Sequence, residues 1–400
     1  MPIEHATTTT RSTGARLWAE IDLDAVLHNY RAIRLHTGPG VRMMAMVKSN
    51  AYGHGAAQLA QFLERIGADC FGVANLDEAL ELRSAGISRA VVITGPITDG
   101  EVRDALANDV QITISPPEII GLVEQEALGR GTIAKLHLMV DTGMTRAGVP
   151  PDTAIELAAR IKASDALALV GIATHLPVAE DAAASRDQIN RFNTLCRRLG
   201  ELELSTPIRH AANTMGIFNV PGSHYELVRP GIGLYGMYPD ESLRSRARFH
   251  PAMTLCTRIV YVRDVPPNTR IGYGGAYTTP GRTRIATLPI GYADGFQRAL
   301  SNRARVIVAG RYAPVVGSVS MDMLTIDVGH VPDAHVGMPV TIIGADGDAR
   351  ITAEEHARHR DTIPYEVTCS IGKRVKRVYA PVRYPNEPGG PERAEVPATE

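Results

Sequence analysis

Between Arg42 and about Gly236 the chain repeats one unit eight times: a short apolar run, then a stretch whose apolar residues recur at three- and four-residue spacing. The candidate strands are Met43–Lys48, Cys70–Asn75, Ala90–Gly95, Gln111–Ser115, Lys135–Asp141, Leu169–His175, Ile208–Asn213 and Glu226–Tyr235; Glu78–Ala85, Glu118–Leu128, Thr153–Ala163 and Gln188–Leu202 are among the intervening helices. Parallel strands need such crossovers, so this alternation predicts a parallel sheet. Eight units in roughly 200 residues predict a closed (β/α)8 barrel, with a doubly wound open sheet as the main alternative. A barrel puts its chemistry at the C-terminal ends of the strands. Lys48 ends the first, Asp141 to Arg146 follow the fifth, His175 ends the sixth, Asn213 and Thr214 end the seventh, and Arg229 lies in the eighth.

After about His250 the texture changes to short β-branched runs between Gly/Pro turns: Thr254–Val262, Arg284–Leu288, Arg305–Val308, Met323–Val328 and Pro339–Ile343. We therefore expect an α/β protein in four segments: a flexible N-terminus (1–14), the barrel (15–250), a mostly β domain (251–384) and a disordered, Pro/Gly-rich tail (385–400). Trp18–Leu23 predicts one more strand, in either domain. Lys plus Arg (42) nearly balances Asp plus Glu (43), so no global field draws the chain to nucleic acid or to an anionic membrane. Four scattered cysteines without CxxC or His/Cys spacing argue against a disulfide framework and against a metal site. With no leader-like N-terminus and no apolar run near 18 residues, the expected place is the cytoplasm.

Met46–Gly55 couples an apolar strand to Lys48 and then to turn formers, with Gly53 and Gly55 before a helical pattern. From these residues alone, Lys48 is either a strand-end lysine reaching solvent or one held in an apolar mouth, where a lowered pKa suits it to form a Schiff base with an aldehyde. Lys48-Ser49-Asn50-Ala51-Tyr52-Gly53-His54-Gly55 resembles the cofactor-lysine motif of alanine racemases, bacterial enzymes that use pyridoxal 5'-phosphate to interconvert L- and D-alanine for cell-wall peptidoglycan. Further motifs match in family order, over roughly Leu17 to Ala380.

The resemblance implies that Lys48 holds the cofactor aldehyde and that Tyr52 hydrogen-bonds its phosphate, together with Thr214, Tyr365 and the amides near Gly231 and Ile232. Asn213 and Thr214 belong to His210-Ala211-Ala212-Asn213-Thr214, where the threonine replaces the usual serine. Arg229, in Val228-Arg229-Pro230-Gly231, would face the pyridine nitrogen. Inverting a stereocentre needs a proton carrier on each face of a planar intermediate. Lys48 is one. The resemblance makes the other Tyr273, in Gly272-Tyr273-Gly274-Gly275, assisted by His175 and an arginine. Arg146, in Asp141–Gly148, and Met321, in Ser320-Met321-Asp322, would bind the substrate carboxylate, and Tyr292 would narrow the entrance. In this family Tyr273, Tyr292 and Met321 complete a partner's site, which implies a head-to-tail homodimer.

One position departs. Seven residues before the arginine the family often carries a carbamylated lysine, and here stands Met139; Lys135 lies on the same strand face but four residues, about 13 Å, away. Some relatives hold chloride there, so an inorganic anion is expected beside Arg146, and a shift toward serine is open. The rivals are a decarboxylase of basic amino acids, whose Gly-rich loop and cysteine motif are absent from the sequence, a non-catalytic pyridoxal-phosphate carrier, which needs no second domain, and a cofactor-free Schiff-base aldolase, which does not need Tyr52, Arg229 and Tyr365 together.

Overall fold

The computed structural model describes residues 14–204, 207–380 and 382. The expectations for the tail, and for the N-terminus up to residue 13, fall outside them. The first strand, β1 (Leu17–Asp22), runs into the helix Leu23–Thr37, which Asp22 caps by accepting from Ala25 N at 3.1 Å. Eight parallel strands follow: β2 (Arg42–Met46), β3 (Cys70–Val73), β4 (Ala90–Ile93), β5 (Val110–Ile114), β6 (Ala134–Met139), β7 (Leu167–Ala173), β8 (Ile208–His210) and β9 (Leu227–Val228). Their ladder runs β8-β7-β6-β5-β4-β3-β2-β9. Beyond the strand ends Arg229 N donates to Ala212 O at 2.8 Å, which brings β9 against β8 and nearly closes a barrel. Near-continuous apolar runs make these strands because both faces are covered: Met43 to Val47, Val91 to Ile93 and Leu136 are almost fully buried.

Two strands are shorter than their apolar runs. The first ends at Met46, and Lys48 opens a tight turn. The eighth ends at Val228, because Pro230 has no amide for the ladder and Gly231 leads into a 3-10 turn, Ile232–Tyr235. His175 likewise sits just past β7, and Asn213 just past β8, where it caps the helix Thr214–Asn219 by accepting from Gly216 N at 2.9 Å.

The second half is built from β10 (Met253–Arg258), β11 (Tyr261–Val265), β12 (Arg270–Ile271), β13 (Tyr277–Thr278), β14 (Thr283–Leu288), β15 (Arg305–Val308), β16 (Arg311–Pro314), β17 (Leu324–Asp327), β18 (Pro339–Asp346), β19 (Ala349–Ile351) and β20 (Lys376–Ala380). The main sheet runs β16-β15-β18-β10-β1-β20, with β19 on β18; β11-β14-β17 and β12-β13 form two smaller ones. The first strand thus joins this domain, antiparallel to β10 and parallel to β20, with Trp18 wholly buried. No helix among the described residues is long and apolar enough to cross a membrane.

Candidate active site

A cavity of about 350 Å³ opens at the C-terminal end of the barrel, within the size range of small-molecule sites. Lys48, Tyr52, Arg146, His175, Asn213, Thr214, Arg229, Gly231, Ile232 and Tyr365 line it, and so does Met139. Helix Pro364–Cys369 carries Tyr365 across from the β domain, whose phenol burial pushes up to about 12.

Lys48 stands at the head of a strained turn. Ser49, Asn50, Ala51 and Tyr52 are all left-handed, with φ between 52° and 54°, a conformation costing L-residues of order 1–2 kcal/mol each. The surroundings hold it: Glu78 accepts from Ser49 N (2.6 Å) and Ala74 N (2.7 Å), Asn50 Oδ1 accepts from Ala56 N (2.8 Å), and Arg377 Nη2 donates to Gly53 O at 2.9 Å. Burial, followed by the Arg146 cation, lowers the Lys48 pKa, while Glu78 opposes that shift. Those hydrogen bonds fix the backbone that follows Lys48, and its amine is readier to be neutral than an exposed lysine's.

The Tyr52 ring is buried, and its hydroxyl has no partner among the described residues' hydrogen bonds. It lies over Gly231, where an added Cβ would sit 2.3 Å from Oη. Only glycine leaves this approach open. Thr214 Oγ1 accepts from Gly231 N at 3.1 Å and Gly233 N at 3.3 Å, tying the 3-10 turn to the cavity floor. A loose phenol hydroxyl, a hydroxyl and a glycine backbone in one corner form a cradle suited to an anionic group.

Arg229 is buried, and its neighbours are neutral acceptors: His210 O and Nδ1, both at 2.7 Å, Thr174 O at 2.7 Å, Ala211 O at 3.1 Å and His175 Nδ1 at 3.3 Å. Burial pulls its pKa down to about 10, still far above neutrality, so it remains a cation. Because a guanidinium only donates, His175 Nδ1 must accept and its proton must sit on Nε2. Burial and the cations Arg229, Arg146 and Lys48 push His175 down to about 3, so this ring is a neutral donor at physiological pH.

Arg146 follows a loop wound on Asp141, whose carboxylate accepts from the amides of Gly143 and Met144 at 2.9 Å and of Thr145 at 3.1 Å. No hydrogen bond or ion pair engages Arg146 among the described residues. Met139 offers it no charge, and Lys135 points to the barrel's other end, paired with Asp109 at 2.8 Å.

Three expected residues are not in this cavity. Tyr273, Tyr292 and Met321 are exposed by 76%, 44% and 53%, and share one face of the β domain. Ser318 Oγ donates to Tyr273 O at 3.2 Å, while Tyr292 N and Ala293 N donate to Ser320 O and Met321 O at 3.1 Å. A single chain brings ten of the expected residues together and leaves these three facing outward.

Glu78, Gln111, His137 and His210 also connect to the Lys48 turn or to Arg229 through hydrogen bonds, and the sequence gives little sign of it. The one signal was a histidine at inward positions of apolar strands, as in Leu136-His137-Leu138; Glu78 looks like any acidic residue in a helix's first turn.

The sequence and fold have close parallels. The family description "Alanine racemase, N-terminal domain" matches residues 21–239 and "Alanine racemase, C-terminal domain" residues 252–379. Alanine racemases of Methanococcus maripaludis and Desulforamulus reducens are 40% and 42% identical, each alignment covering 91% of this chain and 98% of the relative. The alanine racemase of Clostridium difficile 630 superposes with a TM-score of 0.88 at 33% identity, covering 92% and 96% of the two chains; that of Bacillus anthracis with bound L-Ala-P gives 0.87 at 32%, with the same coverage.

Proposed function

The chain belongs to the alanine racemase family, and from that premise we propose that its barrel cavity binds pyridoxal 5'-phosphate and that two copies of the chain together interconvert L- and D-alanine. The observation that carries the reading is a half-buried lysine and a buried arginine, without a carboxylate to neutralise it, in one cavity. An anion-poor, cation-rich pocket with an unpartnered phenol fits a phosphorylated, phenol-bearing aldehyde, and the Bacillus anthracis relative is solved with L-Ala-P.

When bound, pyridoxal phosphate supplies an electron sink that makes the α-proton of an amino acid removable. The chain does the rest. Lys48 would hold the cofactor aldehyde and, with its amine free, would move a proton at Nζ on one face. Arg229, which keeps its proton, would donate to the ring nitrogen and not protonate it, which would make a weaker sink and disfavour side reactions such as transamination. Tyr52, Thr214, Tyr365 and the backbone at Gly231 and Ile232 hold the phosphate, beside Asn213. Arg146 takes the substrate carboxylate, with an inorganic anion such as chloride beside it where Met139 leaves the guanidinium uncompensated.

Tyr273 of a second copy moves the proton on the opposite face, and His175 stabilises its phenolate through the Nε2–H that Arg229 leaves free. The shared exposed face of Tyr273, Tyr292 and Met321 supports this head-to-tail pairing, since one chain leaves those side chains without a site. The Met321 amide and Tyr292 bound the substrate, favouring a methyl side chain. The product serves cell-wall peptidoglycan, in the cytoplasm, in keeping with the free thiols of Cys70, Cys196, Cys256 and Cys369.

The test is a chiral assay of purified protein with pyridoxal phosphate and L-alanine, L-serine and larger amino acids in D₂O. Rapid appearance of α-deuterated D-alanine, with little from larger substrates, is expected. No exchange at any α-carbon would refute the proposal.

A further inference from the structure

The barrel interior below the cavity is not purely apolar. His210 Nε2 lies 3.0 Å from His137 Nδ1, and His137 Nε2 lies 2.8 Å from Gln111 Oε1, while Arg229 Nη1 meets His210 Nδ1 at 2.7 Å. Four side chains from four neighbouring regions of the barrel therefore form one continuous line. The fold makes room for it. An extra residue in β7 shifts the register opposite Leu136 and His137, and puts Gly171 beside the His137 ring, where an added Cβ would lie 2.1 Å from Nδ1.

The direction of the line follows from its first member. A guanidinium has donors only, so His210 Nδ1 accepts and its single proton lies on Nε2. That proton points at His137 Nδ1, which must accept in turn. The His137 proton is then on Nε2 and meets the carbonyl end of the Gln111 amide. An imidazolium at His210 would aim an N–H at Arg229 Nη1, and one at His137 would aim an N–H at the His210 N–H. Both rings are fully buried, with Arg229 the nearest cation, and burial holds His137 down to about 4.

We propose that Gln111, His137 and His210 are positioning residues forming a one-way donor chain from Arg229 to Gln111, which fixes the guanidinium presented to the cofactor ring. The proposal rests on the preceding reading, in which Arg229 faces the ring nitrogen. Each donated bond polarises the next, so the positive charge is met by a row of aligned neutral dipoles instead of a carboxylate. The chain spreads the compensation deep into the barrel and, with both terminal nitrogens engaged by protein acceptors, leaves Nε–H as the donor without a partner among the described residues.

Two measurements test it. In ¹⁵N-histidine-labelled full-length protein, with and without pyridoxal phosphate, both rings should show Nε2–H with bare Nδ1, unchanged from pH 5 to 9. An Nδ1–H or a doubly protonated ring at either position would overturn the chain. Gln111→Met removes the terminal acceptor at nearly the same side-chain length, whereas Gln111→Glu keeps one. Expected for Gln111→Met is a mixed His137 tautomer, a shifted absorbance band of bound cofactor and a roughly tenfold lower kcat at unchanged KM. Gln111→Glu should restore all three. A Gln111→Met protein with the wild-type band and kcat would overturn the positioning role even if the tautomers stand. A wild-type protein that takes up no pyridoxal phosphate would instead defeat the functional reading, while the spectrum of the cofactor-free protein still decides the chain.

Discussion

Tyr52→Phe separates what the phenol hydroxyl does for the fold from what it does for a ligand. Oη sits above the Gly231 backbone, with no partner among the described residues' hydrogen bonds, in a side chain only 8% exposed. Removing a hydroxyl that faces the cavity and bonds to no protein group is close to neutral for stability, so the cofactor-free variant should melt within about 2 °C of wild type. The bound state differs. A hydrogen bond to a charged phosphate contributes roughly 1.5–3 kcal/mol, which corresponds to roughly 10- to 150-fold in affinity. Fluorescence titration of the stripped protein with pyridoxal phosphate should find that loss, and differential scanning calorimetry should find no matching loss of stability. The reasoning is refuted if the variant melts several degrees lower while binding the cofactor as before, since the hydroxyl would then be a structural group with an undetected partner.

The converse change, Gly231→Ala, drives a methyl to 2.3 Å from the same oxygen and should abolish cofactor uptake at pH 8 while the far-ultraviolet circular dichroism stays native. Mixing refolded Lys48→Ala and Tyr273→Phe proteins, each inactive, should recover about a quarter of wild-type activity, because random pairing puts one intact shared site in half of the dimers; no recovery would show that each chain completes its own site. Added halide should lower KM for alanine, and Met139→Lys should remove that dependence; indifference of the wild type to halide would refute the anion beside Arg146. His54, His137 and His356 are held by burial at about 4, and His175 at about 3. The unfolded chain takes up these protons near pH 6.5 and the folded chain only near 3–4, so stability is fully present above about pH 6.5 and falls as pH drops through that window. Melting temperatures should therefore be flat from pH 7 to 8 and decline steeply from 6 to 4; a flat profile throughout would contradict burial of the neutral rings.

The barrel was legible because buried parallel strands and amphipathic crossovers leave two distinct periods in the sequence. Its strand ends were not. Lys48 and Arg229 read as strand residues, yet a left-handed turn and Pro230 stop the ladder earlier, since hydrogen bonding and not hydropathy ends a strand. Trp18–Leu23 carried no record of its partner: a short apolar strand is equally at home in either sheet until residues far along the chain are in place. The cavity's cations were found through motif order, but Glu78, Gln111 and His137 were not, because one acidic residue on a helix and two polar residues on strands resemble solvated or packed groups until three dimensions bring them to Lys48 and Arg229. Tyr273, Tyr292 and Met321 mark the remaining limit: their sequence segments announce chemistry that the single chain leaves on its surface.

The position of β1 sets the order in which the molecule can be made. Its two neighbours are β10, beginning at Met253, and β20, beginning at Lys376. On a ribosome adding roughly 5–20 residues per second, the first strand waits about 20 to 70 s for its last neighbour, with the Trp18 side chain unpaired meanwhile. The barrel strands, by contrast, each meet a neighbour within a few tens of residues. Barrel contacts can therefore form before the strand at Lys376–Ala380 exists, whereas β1 cannot be closed in without it, so chains stalled before residue 376 should resist protease across the barrel yet be cut at the N-terminal strand.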